Sequence, residues 1–190
     1  MTVVRRAGPD DAEELTRLRV VMWAALDGIA PVMGPWYPAT VARFRETLAD
    51  PDSTWAAFVV DKDSDKDNDG DSDMGGVDKP GAGPAGSGLA SCAVGTIERR
   101  LPNPGNLTGE TGHIFNVATD PAYRRRGYSR ACMTALLTWY AERGVTKVEL
   151  NASPYGEPLY QQLGFARHSM PAMRRSLAPR PATGPGRPPT

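Results

Sequence analysis

A chain of 190 residues with 22 basic and 22 acidic side chains is long enough to bury one substantial core, and no run of eighteen apolar residues occurs in it, which excludes a helical membrane span. Two cysteines and two histidines without metal-ligand spacing exclude a disulfide scaffold and predict no metal. The zero net charge is local in origin: residues 61–78 hold eight Asp and two Lys, leaving 20 basic against 14 acidic side chains elsewhere, a mildly basic body that suits an anionic ligand but lacks the basic stripe with interleaved aromatics that nucleic acid requires.

Residues 3–6 predict a short first strand. Asp10, Asp11, Glu13 and Glu14 open a helix with acidic groups where its dipole favours them, and Leu15, Leu18, Val21, Met22 and Leu26 recur at three and four until Gly28 stops it. Residues 29–38 read as a loop rich in Met33, Trp36 and Tyr37, followed by a second helix over 39–49 and a strand over 53–60. Residues 61–87 are dominated by Asp, then by Gly and Pro, and have too little apolar surface to offset their ordering entropy, so they predict a disordered insertion. Asp65, Asp67 and Asp69-Gly70 have the opening spacing of an EF-hand loop, but the twelfth position is Gly76 rather than a bidentate Glu and no helices flank it, which favours a solvated insertion between two antiparallel strands.

The second of those strands resumes over 88–99, and another follows over 112–119. A helix then runs to Arg143 with Cys132, Leu136 and Trp139 on its buried stripe and Gly144 as its stop. Cys92 and Cys132 fall inside apolar patterns and read as small buried hydrophobes. A strand over 147–151 precedes a short helix whose register Pro158 fixes, because proline is tolerated only in the first turn; it starts near Gly156 or Glu157 and ends at Gly164. Residues 165–177 are expected to supply one or two closing strands, and residues 178–190, with five prolines and two arginines, a disordered tail. The order β-α-α-β-β-β-α-β-α-β predicts an α/β (α+β) mixed sheet with helices on both faces, in one domain spanning 1–177.

The most informative stretch lies between the 112–119 strand and the helix after it: Arg124, Arg125, Arg126, Gly127, Tyr128 and Ser129. A glycine in a basic loop at a strand-to-helix junction builds a phosphate cradle. Backbone N–H groups point into the loop, the helix N-terminus adds unpaired donors, and Gly127 admits a ligand where a Cβ would block it. Asn116 to Pro121 precede this loop, and Leu159-Tyr160-Gln161-Gln162-Leu163-Gly164-Phe165 follows about thirty residues on. Together these segments resemble the GNAT family of N-acetyltransferases, whose signature [Q/R]-x-x-G-x-[G/A] residues 124–129 fit except at Ser129. The resemblance covers residues 112–165 and, more loosely, residues 2–48.

That resemblance implies an acyl-CoA N-acyltransferase fold and an enzyme that moves an acetyl group from acetyl-CoA to a primary amine of a small molecule or peptide by direct attack in a ternary complex. It implies that main-chain groups of Val117, Ala118 and Thr119 pair with pantetheine, with an N–H near Val117 polarising the thioester carbonyl, and that loop 124–129 grips the pyrophosphate. Tyr160 matches the tyrosine that protonates the departing thiolate. Many members deprotonate the amine with a strand Glu. Here Asn116 stands on the matching strand, so Glu98, Glu110 and His113 are candidate substitutes, with His113 and His168 more often structural; a water chain ending at Asn116, Asn151 and Ser153 is the alternative. Ser153 and Asn151 are further candidates for CoA contact. The loop between the first two helices lines the acceptor site in this family, so Met33, Trp36 and Tyr37 form either an apolar acceptor wall or a core plug. The rival reading is a catalytically inactive acyl-CoA-binding sensor. Either way the sequence predicts a cytoplasmic monomer or homodimer without membrane or nucleic-acid partners.

Overall fold

The computed structural model describes residues 2–62 and 88–176. The predicted insertion with its EF-hand spacing, Asp61 and Lys62 apart, and the predicted tail lie outside those residues. The elements in chain order are β1 (Arg5–Arg6), α1 (Ala12–Asp27), α2 (Trp36–Ala49), β2 (Trp55–Asp61), β3 (Leu89–Arg99), β4 (Glu110–Thr119), α3 (Tyr128–Glu142), β5 (Val148–Leu150) and α4 (Glu157–Gln162). The strands form one mixed sheet in sequence order: β1 to β4 pair antiparallel, and α3 carries the chain across to β5, which joins β4 in parallel.

Each face of the sheet has its own core. On one side α1 and α2 cover it through Leu15, Leu18, Val41 and Phe44 packed on Val59, Cys92, Val94 and Ala118. On the other, α3 packs Cys132, Met133, Leu136, Trp139 and Tyr140 against Val60, Ala93 and Ile114. Both cysteines are free and buried, and burial pushes each thiol up to about 12, so neither is a nucleophile at neutral pH.

Two ion clusters tie α1 to the sheet. Arg5 donates to Asp11 and Asp61 at 2.7 to 2.8 Å. Arg17 donates to Glu14 and to the Leu89 carbonyl at 2.8 Å and to Asp120 at 2.9 Å, fastening the helix to the exit of β4.

The register of β4 carries a bulge. Val94 pairs with Asn116 but Gly95 pairs with Ile114, so Phe115 is an extra residue. Gly112 and Ile114 therefore face α3, whereas Asn116 and Ala118 face α1. Tyr140 of α3 braces this region: its hydroxyl lies 3.1 Å from both the Thr96 and His113 carbonyl oxygens, and its ring fills the space left by Gly95 and Gly112.

Two expectations are corrected. Residues 166–176 form no strand, because their apolar side chains are isolated and exposed, Pro171 lacks a ladder donor, and the Met170 N–H turns back to His168 Nδ1 at 3.0 Å. The second helix starts at Trp36 rather than at residue 39, since Pro38 sits in its first turn where its missing N–H costs nothing.

Candidate active site

β4 and β5 pair only from Gly112 to Ile114 against Val148 to Leu150. Beyond that, β4 runs on to Thr119, and among the described residues no strand borders this edge. The Asp120 N–H donates to the Ala90 carbonyl of β3 at 2.8 Å, so by strand alternation the main-chain groups of Val117 and Thr119 point the other way, into the opening between β4 and the chain after β5.

Two cavities meet there. One of about 350 Å³ is walled by Met22, Trp23 and Leu26 of α1, by β4 from His113 to Val117, and by Asn151, Ser153, Tyr160 and Arg174. A larger one of about 890 Å³ lies toward the C-terminal segment and includes Glu98, Glu149, Arg167 and His168. His113, Leu150, Asn151 and Tyr160 line both, so these four side chains are the partition.

The loop after β4 leads into α3. The Asp120 carboxylate accepts from the Ala122 N–H and sets a tight turn over Pro121–Tyr123. Arg125 then takes a left-handed conformation at φ 65° and Gly127 another at φ 81°, the latter being the N-cap of α3. Left-handed residues alternating with others near a helix start turn successive N–H groups toward one point, the geometry of an anion nest. A Cβ at Gly127 meets nothing within 4 Å, so the space above it is open. Arg124 and Arg125 are exposed at the rim, and Arg126 lies over the Tyr123 ring at 5.1 Å. The Ser129 hydroxyl bonds Thr119 Oγ1 at 2.6 Å, pinning the loop to the strand. Tyr128 is placed otherwise than expected: its side chain is 2 % exposed within the α3 core, and only its main chain belongs to the loop.

Tyr160 stands on α4 with its ring edge-on to Phe165 at 6.1 Å, and burial raises its phenol above the ordinary value, so it is protonated at neutral pH. Ser153 starts α4: its hydroxyl accepts from the Gly156 N–H at 3.1 Å and its carbonyl accepts from the Glu157 N–H at 3.0 Å. Glu98 lines the larger cavity alone and is held by Arg100 at 2.8 Å; Glu110 lies at the start of β4 beside Arg99, away from both cavities. His168 lines only the larger cavity.

Asn116 is fully buried with both ends of its amide engaged, Nδ2 donating to Cys92 Sγ and Oδ1 accepting from Arg19 Nη1, each at 3.4 Å. Its amide is thus held from both ends by one bond each, and it lines the smaller cavity. Met33, Trp36 and Tyr37 line neither cavity. Trp36 donates to the Val32 carbonyl and packs edge-on against Trp23 and Tyr37, so Trp36 stands behind the Trp23 wall of the smaller cavity. Of the α1 residues lining the smaller cavity, Met22 and Leu26 read in the sequence as part of the core-facing stripe of α1, whereas Trp23 lies outside that stripe. Arg19 and Arg174 carried no motif.

Residues 77–165 match the family model described as the Acetyltransferase (GNAT) family, and that segment contains the open β4 edge, the nest and Tyr160. Over this stretch, just under half of its length, the chain is similar to the GNAT family. Over 57 residues the chain is 39% identical to a glucosamine 6-phosphate N-acetyltransferase of Trypanosoma brucei brucei, a match that covers 30% of the chain and 39% of the relative. Over 55 residues it is 33% identical to a ribosomal protein bS18-alanine N-acetyltransferase of Haemophilus ducreyi, covering 27% and 38%. The matches thus span well under half the length of either relative. An acetyltransferase of Clostridium acetobutylicum solved with acetyl-CoA superposes with a TM-score of 0.70 at 20% identity over 92% of this chain and 96% of the other, a likeness of fold.

Proposed function

We propose that the chain is an acyl-CoA-dependent N-acetyltransferase that passes an acetyl group from acetyl-CoA directly to a primary amine of a small molecule or peptide. The observation that carries this reading is the shared cavity partition. Val117, whose main chain is open on this edge, and the protonated Tyr160 face one space, and the 124–129 nest lies at the end of the same strand.

The residues present fit acetyl-CoA as a substrate. The nest and Arg124 to Arg126 offer N–H groups and charge to a pyrophosphate, and Val117 and Thr119 offer a half-strand partner to the pantetheine amides. An N–H on the bulged stretch near Val117 stabilises negative charge on the thioester oxygen as the amine nitrogen bonds to the carbonyl carbon. The C–S bond then breaks, and the Tyr160 hydroxyl delivers its proton to the leaving sulfur. The proton lost by the amine passes to His113, directly or through water, because His113 shares the partition with Tyr160, whereas Glu98 reaches only the larger cavity.

The test is Tyr160→Phe, which keeps the ring and its packing on Phe165. With any amine that the wild type acetylates, kcat is expected to fall by about 10²-fold while acetyl-CoA still raises the melting temperature, a ligand at a hundred times its Kd being worth about 2.7 kcal/mol. A kcat within about threefold of wild type removes Tyr160 from the mechanism. A wild-type melt that ignores millimolar acetyl-CoA refutes the reading as a whole.

A further inference from the structure

The smaller cavity has an unusual charge balance for a site that receives an amine. Among the described residues that line it there is no carboxylate to attract an ammonium group; its charged lining residue is Arg174. Beside it stands a second cation. Arg19 lies half-buried on α1 with its guanidinium over the Trp23 ring at 4.4 Å and Nη1 at 3.4 Å from Asn116 Oδ1, and Trp23 and Asn116 are both cavity walls. Arg5, Arg17, Arg43, Arg45, Arg100 and Arg167 all have carboxylate partners. Arg19 has none among the described residues. An aromatic face and a neutral amide hold it in place without neutralising it, and burial disfavours its charged form. A cation kept half-desolvated and unneutralised is a strong donor for an incoming anion, and its fork suits a carboxylate or phosphate.

We propose that the acceptor amine carries an anionic group, a carboxylate or a phosphate, which is bound in the smaller cavity between Arg19 and Arg174 against the Trp23 ring. This rests on the acetyltransferase reading and adds the chemical class of the acceptor. The anion anchors the far end of the molecule and leaves the amine pointing at the partition of His113 and Tyr160. The absence of a lining carboxylate favours the amine in its neutral, nucleophilic form. Asn116 acts here as a positioning residue that fixes the Arg19 fork.

Matched pairs of primary amines test the proposal: an amino-sugar phosphate against the parent amino sugar, and an aromatic amino acid against its amide. Their Kd on the CoA-saturated protein is measured by calorimetry, and kcat/KM is measured with acetyl-CoA. In at least one pair the anionic member is expected to bind at least about tenfold more tightly, and the pair that responds tells phosphate from carboxylate. Arg19→Gln is expected to erase that ratio, Arg19→Lys to retain part of it, and Arg174→Gln to reduce it. Arg174 lies on the exposed C-terminal segment, so its variant keeps the test open if Arg19→Gln fails to fold. Equal or tighter binding of the neutral member in both pairs, or a ratio untouched by both glutamine variants, overturns the proposal. Anion-selective binding without turnover supports it and counts against the enzymatic reading; turnover confined to neutral amines does the reverse.

Discussion

The Tyr140 hydroxyl shares its one proton between the Thr96 and His113 carbonyls in a slot that exists because residue 95 has no side chain, so Gly95→Ala and Tyr140→Phe perturb one contact from two sides. Tyr140→Phe strips a buried carbonyl pair of its donor, at about 1 to 2 kcal/mol. Gly95→Ala places a Cβ at 2.1 Å from the hydroxyl oxygen, 3.0 Å from the His113 carbonyl oxygen and 3.1 Å from Cζ. The ring is 1% exposed and cannot step aside, so the same hydrogen bonding is lost and overpacking of about 1 to 3 kcal/mol is added. With phenylalanine in place the tightest of the three contacts is gone, and alanine at 95 then costs only about 1 kcal/mol. The double mutant is therefore expected to be more stable than the sum of the single losses by about 1 kcal/mol or more, read by urea titration of all four proteins. Additivity within about 0.5 kcal/mol would show that the hydroxyl does not occupy the Gly95 slot.

Acid should unfold the protein through its α1 clusters. Burial would raise the Asp11 and Glu14 carboxyls, but the Arg5 and Arg17 guanidiniums and the Gly8 and Leu89 N–H groups outweigh it and leave both below their ordinary values of 3.8 and 4.5. Lowered carboxyls contribute stability that is complete above their unfolded values and is lost as pH falls through the folded ones, so the melting temperature is expected to drop below about pH 4.5. Arg5→Met should flatten that drop; an unchanged acid limb would remove the Arg5 cluster from the explanation. Replacing residues 63–87 by a short turn is expected to preserve a cooperative melt, because Lys62 N already closes the strand pair onto Gly88 O at 3.1 Å. Loss of cooperativity would place a structural element in the replaced segment.

Periodicity and punctuation made much of this fold legible. The stripe of Cys132, Leu136 and Trp139 is buried, Gly28 and Gly144 end their helices at φ 74° and 72°, and α4 starts where Pro158 requires. The basic loop was legible because a glycine at a strand-to-helix junction states a backbone conformation directly. The smaller cavity was not. Leu15 and Leu18 of the α1 stripe enter the core, but Met22 and Leu26 on the same stripe run past the end of the sheet pairing and face a cavity, which spacing alone does not distinguish. The pairing of Arg19 with Trp23 joins residues of one helix, yet its meaning depends on Asn116, 97 positions away.

The extra residue at Phe115 makes β4 a strand whose length matters as much as its composition. A substitution such as Phe115→Leu keeps the frame. Deleting Phe115 restores simple alternation and leaves Asn116 and Ala118 toward α1 and Val117 toward α3, whereas deleting a residue at 117 or 118 turns the strand beyond it onto the opposite face and mismatches both cores. The exposed turn between β3 and β4 has no such phase to protect. Among descendants of this chain, length variation should collect in that turn and, within residues 112–119, fall only at the bulge, while the identity of the side chain at 115 drifts among apolar residues.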